Sequence, residues 1–353
     1  MPRAVVTGAT GFIGGAVSRE LTARGWEVHI IHRPGSDLRH LDGLVDCERH
    51  VGDLRERDGL ASVLEGCDVL FHVAARYEFG LARARDIYLD NVVGTRNVVE
   101  AARASGVKKV VYTSTVGVLW PRADGVPVDE TQLARLDQLH GAYKRSKWQA
   151  EQEVLKGLEL GLPAVIVCPT APVGPYDVKP TPTGKMVLDF LRGRMRGYVD
   201  TGLNLVASED VAVGHILAAE KGTVGKRYIL GHENLSLKEI FDMLSNITGI
   251  PSPRFKFPRS VLWPLSLVSE GLALLTRRPP NIPLETIGMA RRFMYFDCSR
   301  AREKLGYRPR SVEEALRRAV RWFEDNGYVP LARKTPTRGA DSSPGSRWKN
   351  TPS

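Results

Sequence analysis

The chain has 353 residues, 42% of them hydrophobic, enough to bury a large core in one elaborated domain or in two. Its formal net charge is +10, yet Arg333, Lys334, Arg338, Arg347 and Lys349 stand against Asp341 alone in a closing stretch rich in Pro, Ser, Thr and Gly, so residues 331–353 are expected to form a disordered basic tail. No recognition-helix pattern or metal-finger spacing accompanies the charge, which excludes a nucleic-acid partner and a metal from the expected function. Cys47, Cys67, Cys168 and Cys298 are scattered and read as reduced thiols of a cytoplasmic protein. The first strand begins within a few residues of Met1, leaving no room for a signal peptide.

That strand, Val5-Val6-Thr7, runs into Gly8-Ala9-Thr10-Gly11-Phe12-Ile13-Gly14 and then a helical stretch to about Arg24, which Gly25 ends. Three glycines at this spacing between strand and helix predict a cradle for a dinucleotide pyrophosphate. Gly8 permits the tight turn, Gly11 lets backbone N–H groups approach the phosphates with Thr10, Phe12 and Ile13 around them, and Gly14 lets the helix pack closely on the strand. The second strand, Glu27-Val28-His29-Ile30-Ile31, ends without an acid to take a ribose 2′-hydroxyl. Arg33 can pair with a 2′-phosphate and Ser36 can add a hydroxyl, so NADP is favoured and NAD stays open; Arg33 can equally be a solvated loop cation. Asp53, with Leu54 after it, closes a third strand where a carboxylate can accept a bond from the adenine amine or simply shape a turn.

Apolar strands recur at Val69–Ala75, Val110–Ser114 and Ala164–Pro169, separated by helical segments. Such continuous apolar runs belong to a parallel sheet covered on both faces, so the expected fold is α/β, a Rossmann-type doubly wound sheet over residues 1–169. Some later segments are expected to return to it. Ligands of these sheets lie at the carboxyl ends of the strands, which directs attention to Val73, Ala74, Ala75, Ser114, Thr115 and Pro169. Beyond Pro169 prolines crowd in, and a smaller mixed α/β substrate-binding region is expected over 170–330. Between the two, Tyr143 and Lys147 are four apart, one above the other on a helix face. A phenol titrates near about 10 when free and needs a neighbouring cation to work as an acid–base at neutral pH. Farther on, the apolar run 261–275, flanked by Arg254, Lys256, Arg259, Arg277 and Arg278, is too short to span a bilayer. It reads either as a helix lying in the headgroup layer at the inner membrane face or as a helix packed over the substrate cleft.

Together, Gly8-x-x-Gly11-x-x-Gly14, Asp53, His72-Val73-Ala74-Ala75, Asn91-Val92-Val93-Gly94-Thr95, Thr113-Ser114-Thr115, Tyr143-x-x-x-Lys147 and Cys168-Pro169 resemble an extended short-chain dehydrogenase/reductase over residues 1 to about 325. Within that superfamily, Asp177-Val178-Lys179-Pro180-Thr181-Pro182-Thr183-Gly184 and Tyr198-Val199-Asp200-Thr201-Gly202-Leu203-Asn204 are similar to the hopanoid-associated sugar epimerases, and the chain also resembles dihydroflavonol 4-reductases. The resemblance implies a small-molecule substrate, a ketone or alcohol, sugar or terpenoid lipid, and leaves a homodimer open. It implies Tyr143 as the acid–base. Lys147 would hold the nicotinamide ribose and lower the tyrosine pKa, and Thr115, with Ser114 as rival, would bind the reacting oxygen. Asn91 would position Lys147 through water or serve as an ordinary helix-face amide, and Pro169 would sit under the carboxamide. Nucleotide-sugar epimerases of this kind carry a diphosphate-gripping arginine where Leu203 stands here, so Lys185, Arg192, Arg194 or Arg196 would have to replace it. The expected activity is hydride transfer at a secondary alcohol or ketone in hopanoid biosynthesis, with epimerisation of a sugar nucleotide or glycosylated hopanoid as the alternative and a non-catalytic dinucleotide sensor as a remoter one.

Overall fold

In the computed structural model, residues 1–44, 46–78, 83–258 and 292–329 are described. The expectations for the 331–353 tail and the 261–275 stretch fall outside them. Seven parallel strands make the large sheet: β1 (Arg3–Thr7), β2 (Glu27–His32), β3 (Glu48–Val51), β4 (Val69–His72), β5 (Lys109–Thr113), β6 (Ala164–Pro169) and, after three strands of the smaller region, β10 (Arg227–Leu230). Their spatial order is β10-β6-β5-β4-β1-β2-β3, so the winding reverses between β1 and β4. This is the doubly wound sheet, and its switch point opens a crevice at the strand ends.

Alternate residues of the strands other than the edge strand β3 feed two cores. On β6, Ala164, Ile166 and Cys168 join one face's cluster and Val165 and Val167 the other's. The first face is covered by α2 (Leu60–Leu64), α4 (Gly94–Ala104) and α5 (Ala142–Glu159). The second is covered by α1 (Phe12–Ala23), α7 (Ser208–Lys221) and the helix Ser299–Leu305. Burial of each such side chain stabilises the sheet by roughly 1.5–3 kcal/mol, which is why the strands read as unbroken apolar runs.

A smaller region has its own core, built on β7 (Ala171–Val173), β9 (Gly202–Ala207) and β11 (Glu233–Ser236) with α6 (Pro182–Leu191), α8 (Leu237–Thr248) and the helix Val312–Asp325. A separate parallel pair joins β8 (Gly197–Val199) to β12 (Phe255–Phe257). Two of the sequence's distinctive segments organise this region. Buried Asp177 accepts both the backbone N–H and the hydroxyl of Thr181, and Gly184 leaves the space it occupies, since a Cβ there would meet an Asp177 oxygen. Asn204 ties β9 to Asn234 and to the carbonyl of Phe296. Among the described residues no helix is long and apolar enough to cross a membrane.

Candidate active site

A cleft of about 1100 Å³ runs along the strand ends. At its base lies the glycine turn. Gly8 has φ +77°, and a Cβ there would stand 2.6 Å from the Ala74 Cα; a Cβ on Gly14 would stand 2.0 Å from the Gly8 carbonyl oxygen. Both neighbours are backbone, so only glycine fits at either position. No side chain caps α1, whose N-cap is Gly11, so its first N–H groups are left to the cleft that Thr10, Phe12 and Ile13 line. That cradle fits the pyrophosphate of a dinucleotide.

Arg33, Ser36, Asp53 and Leu54 line one end of the cleft. Arg33 is half exposed and lies 3.2 Å from Asp90, which also accepts from Arg76 Nε at 2.6 Å. Arg55 pairs with Asp53 and stands 3.8 Å from Asp90. Three guanidinium groups, those of Arg33, Arg55 and Arg76, therefore surround one carboxylate, where the sequence points to Arg33 alone. Asp90 and Asn91 are delivered by a π turn, Leu89–Val93, between α3 (Ala84–Tyr88) and α4.

Val73, Ala74, Ala75 and Pro169 line the middle of the cleft beside Tyr143 and Lys147. The two lie on α5 as the spacing predicts, but the ammonium faces the sheet: Lys147 Nζ donates to Tyr112 Oη at 3.0 Å and to the Thr113 carbonyl at 2.7 Å. Burial pushes its pKa down to about 8. Burial pushes Tyr143 up to about 12, and the opposing pull comes from a hydrogen bond with Thr115, not from Lys147. Behind Lys147 a buried chain continues. Tyr112 is hydrogen-bonded to Thr95, Thr95 lies 3.0 Å from His72 Nε2, and His72 Nδ1 lies 2.7 Å from Thr7 Oγ1. Burial holds His72 at about 3, so it is neutral, and a neutral ring with one N–H satisfies both threonines.

Ser114 and Thr115 are not equivalent. The Ser114 hydroxyl is given to buried Glu151, which also accepts from Arg227 Nε at 2.6 Å, whereas Thr115 is the hydroxyl joined to Tyr143. Asn91 does not line the cleft. Its side-chain N–H groups reach Ser146 Oγ at 2.9 Å and the Arg76 carbonyl, and its oxygen accepts the Arg76 N–H at 2.7 Å, so it fastens the loop after β4 to α5 directly. Cys168 is fully buried, with its thiol raised well above the ordinary value by desolvation.

On the side of the smaller region Met186, Leu203, Met294 and Phe296 line the cleft, with Thr181, Thr183 and Asn204 as its polar members, and Tyr77 stacks edge-on to Tyr143 with centroids 4.4 Å apart. None of Lys185, Arg192, Arg194 and Arg196 lines it; Arg192 is drawn to the Tyr328 carbonyl and Arg194 to Asp189. Lys144 and Lys179 are the lysines besides Lys147 along the cleft.

Residues 4–231 match the NAD dependent epimerase/dehydratase family. The chain belongs to that family. It is 42% identical over 328 residues to a Synechocystis protein named as a dihydroflavonol 4-reductase, covering 92% of this chain and 95% of the relative. It is 35% identical over 327 residues to sterol demethylase protein B of Methylococcus capsulatus, covering 92% and 99%. The crystal structure of gox2253 superposes with a TM-score of 0.83 at 46% identity, over 93% of this chain and 99% of that one. The protein is thus an enzyme of the extended short-chain dehydrogenase/reductase type, and its Rossmann-type sheet is the one that family uses.

Proposed function

We propose that the protein is an NADP-linked oxidoreductase that interconverts a ketone and a secondary alcohol on an apolar, ring-shaped terpenoid lipid of the hopanoid or sterol kind. The observation that carries this reading is the smaller region's side of the cleft. Leu203 lines it together with Met186, Met294 and Phe296, and Lys185, Arg192, Arg194 and Arg196 lie elsewhere. Leu203 offers a diphosphate no donor where an arginine would, and with Met186, Met294 and Phe296 it offers a fused-ring hydrocarbon dispersion contact. The sterol-modifying name of the Methylococcus relative supports the same substrate class.

Bound in the cleft, the nicotinamide supplies or accepts the hydride. The chain's residues handle the oxygen and its proton: Thr115 donates to the reacting oxygen, and Tyr143 gives its phenolic proton as the carbonyl becomes an alcohol or takes one in reverse. Burial keeps Tyr143 protonated at neutral pH, which suits the reducing direction. Lys147 holds the ribose, and Asn91 fixes the height of α5 through Ser146. Arg33, with Arg55 and Arg76 nearby, selects the 2′-phosphate.

A second reading, epimerisation with tightly held NAD, draws on the family's name. The test is NADPH consumption by purified protein with 3-keto sterols and hopanoid ketones against UDP-sugars. Stoichiometric oxidation with the ring ketones supports the proposal; co-purified NAD with interconversion of UDP-sugars and no added cofactor refutes it. A working place at the inner membrane face, through 261–275, is part of the proposal and predicts salt-sensitive co-sedimentation with anionic liposomes.

A further inference from the structure

Away from the cleft, the outer edge of the large sheet carries a cluster of donors with no part in the chemistry above. The parallel register sets His29 of β2 beside Glu48 of β3 and Ile31 beside His50, so His29, Glu48 and His50 share one face at the sheet edge. His29 Nδ1 lies 3.0 Å from His50 Nε2 and 3.5 Å from Glu48 Oε2, and His50 Nε2 lies 3.4 Å from Glu48 Oε1. Zinc binds nitrogen and oxygen at about 2.0–2.2 Å, which places the donors of a tetrahedral site about 3.3 Å apart. The two imidazole nitrogens stand 3.0 Å apart, and each has one oxygen of the Glu48 carboxylate, Oε2 for His29 and Oε1 for His50, within 3.5 Å, close to that edge length.

The second shell agrees. His29 Nε2 lies 2.7 Å from Glu27 Oε1, so that nitrogen carries the proton and donates it, leaving the Nδ1 lone pair directed at His50 and Glu48. This carboxylate–imidazole pairing is the one that orients a metal-bound histidine. The two rings are stacked with 14° between their planes, His29 is buried, and Glu48 is exposed, so solvent can supply a fourth ligand on the open side. One charge opposes a cation here: Arg3 Nη2 stands 3.5 Å from His29 Nδ1, although the same guanidinium is held by the Glu65 carbonyl and faces Glu27 at 3.8 Å.

We propose that His29, Glu48 and His50 form a site for a divalent transition metal of the zinc class, bridging β2 to the edge strand β3. Two imidazoles and one carboxylate suit zinc, nickel or copper rather than magnesium or calcium. The metal would clamp β3, whose continuation Gly52-Asp53-Leu54 lines the cleft, to β2. Sequence spacing does not show it, because the ligands meet only through strand pairing.

The test is equilibrium dialysis of the tag-free full chain against zinc, with cobalt(II) absorption as a report on geometry and circular dichroism to confirm folding. The expected result is one zinc per chain, tetrahedral cobalt bands, and a zinc-dependent rise in Tm. His50→Ala and Glu48→Gln should each weaken binding at least about tenfold, Glu27→Gln about tenfold or more through the second shell, and His140→Ala, an exposed histidine outside the cluster, not at all. Absence of stoichiometric zinc on the wild type, or binding that folded His50→Ala and Glu48→Gln retain in full, would overturn the proposal.

Discussion

Tyr112→Phe removes one oxygen and keeps the ring over which the Lys147 ammonium sits, 4.6 Å from its centroid. What is lost is the Tyr112 Oη acceptor of that ammonium, at 3.0 Å; the Thr113 carbonyl remains. A hydrogen bond to a charged group contributes about 1.5–3 kcal/mol, and one pKa unit corresponds to about 1.4 kcal/mol, so Lys147 should fall about one to two units below its value. That value is about 8 in the intact protein, where burial lowers it and Glu151 and Cys168 oppose the fall. Because the ammonium is needed to hold the ribose, kcat/KM for the dinucleotide should decline as pH rises through that pKa, and this ratio reports the free enzyme. In Tyr112→Phe the falling limb should move from about 8 to roughly 6–7, with circular dichroism unchanged. A folded variant whose limb stays at about 8 would refute the role of Tyr112 and the buried chain behind it.

Arg33→Ala should weaken NADP binding about tenfold, at the low end of what a charge-assisted contact contributes, because Arg33 exchanges an existing pairing with Asp90 to make it. NAD affinity, titrated in parallel, should change far less, and equal losses would contradict the assignment. Stability should fall with acid. His40, His72 and His215 are held by burial at about 4, 3 and 4 against 6.5, so below 6.5 the unfolded chain takes up protons that the folded chain refuses. Asp177, raised to about 6 from 3.8, works in the opposite direction over part of the same window. For these four groups alone, three protons less one, the limiting slope is about 2.7 kcal/mol per pH unit, and the lowered His50 and His232 add to it while the raised Glu130 opposes it. Urea unfolding between pH 7 and 5 checks it, and flat or rising stability on acidification would be the contrary result.

The features readable from sequence are those set by short spacing. The three glycines, the i,i+4 pair on α5 and the unbroken apolar strands each carry their geometry locally, and the switch point follows from strand order. What escaped is non-local. Asp90 gathers Arg33, Arg55 and Arg76 from three strand ends, and no spacing announces that meeting. The Tyr112–Thr95–His72–Thr7 chain crosses β5, α4, β4 and β1, and its members look like ordinary core residues in the sequence. Glu151 could have been found, since Tyr143, Lys147 and Glu151 repeat every four residues on one helix face; its partner Arg227 could not. The expectation that Lys147 lowers the tyrosine pKa counts on a positive nicotinamide ring beside the pair; in the chain by itself Lys147 is turned to its sheet-side acceptors and Thr115 is the group that pulls the Tyr143 pKa down.

Tyr143 is proposed to move the proton while the dinucleotide cleft stays otherwise intact. The most direct measurement of this is single-turnover NADPH oxidation with a ring ketone that the wild type is shown to reduce, alongside NADPH affinity, for wild type and Tyr143→Phe. The substitution removes only the hydroxyl joined to Thr115, so affinity should hold within about twofold while the rate of hydride transfer falls by about 10²–10⁴. A Tyr143→Phe protein that oxidises NADPH with that ketone at close to the wild-type rate would contradict the account.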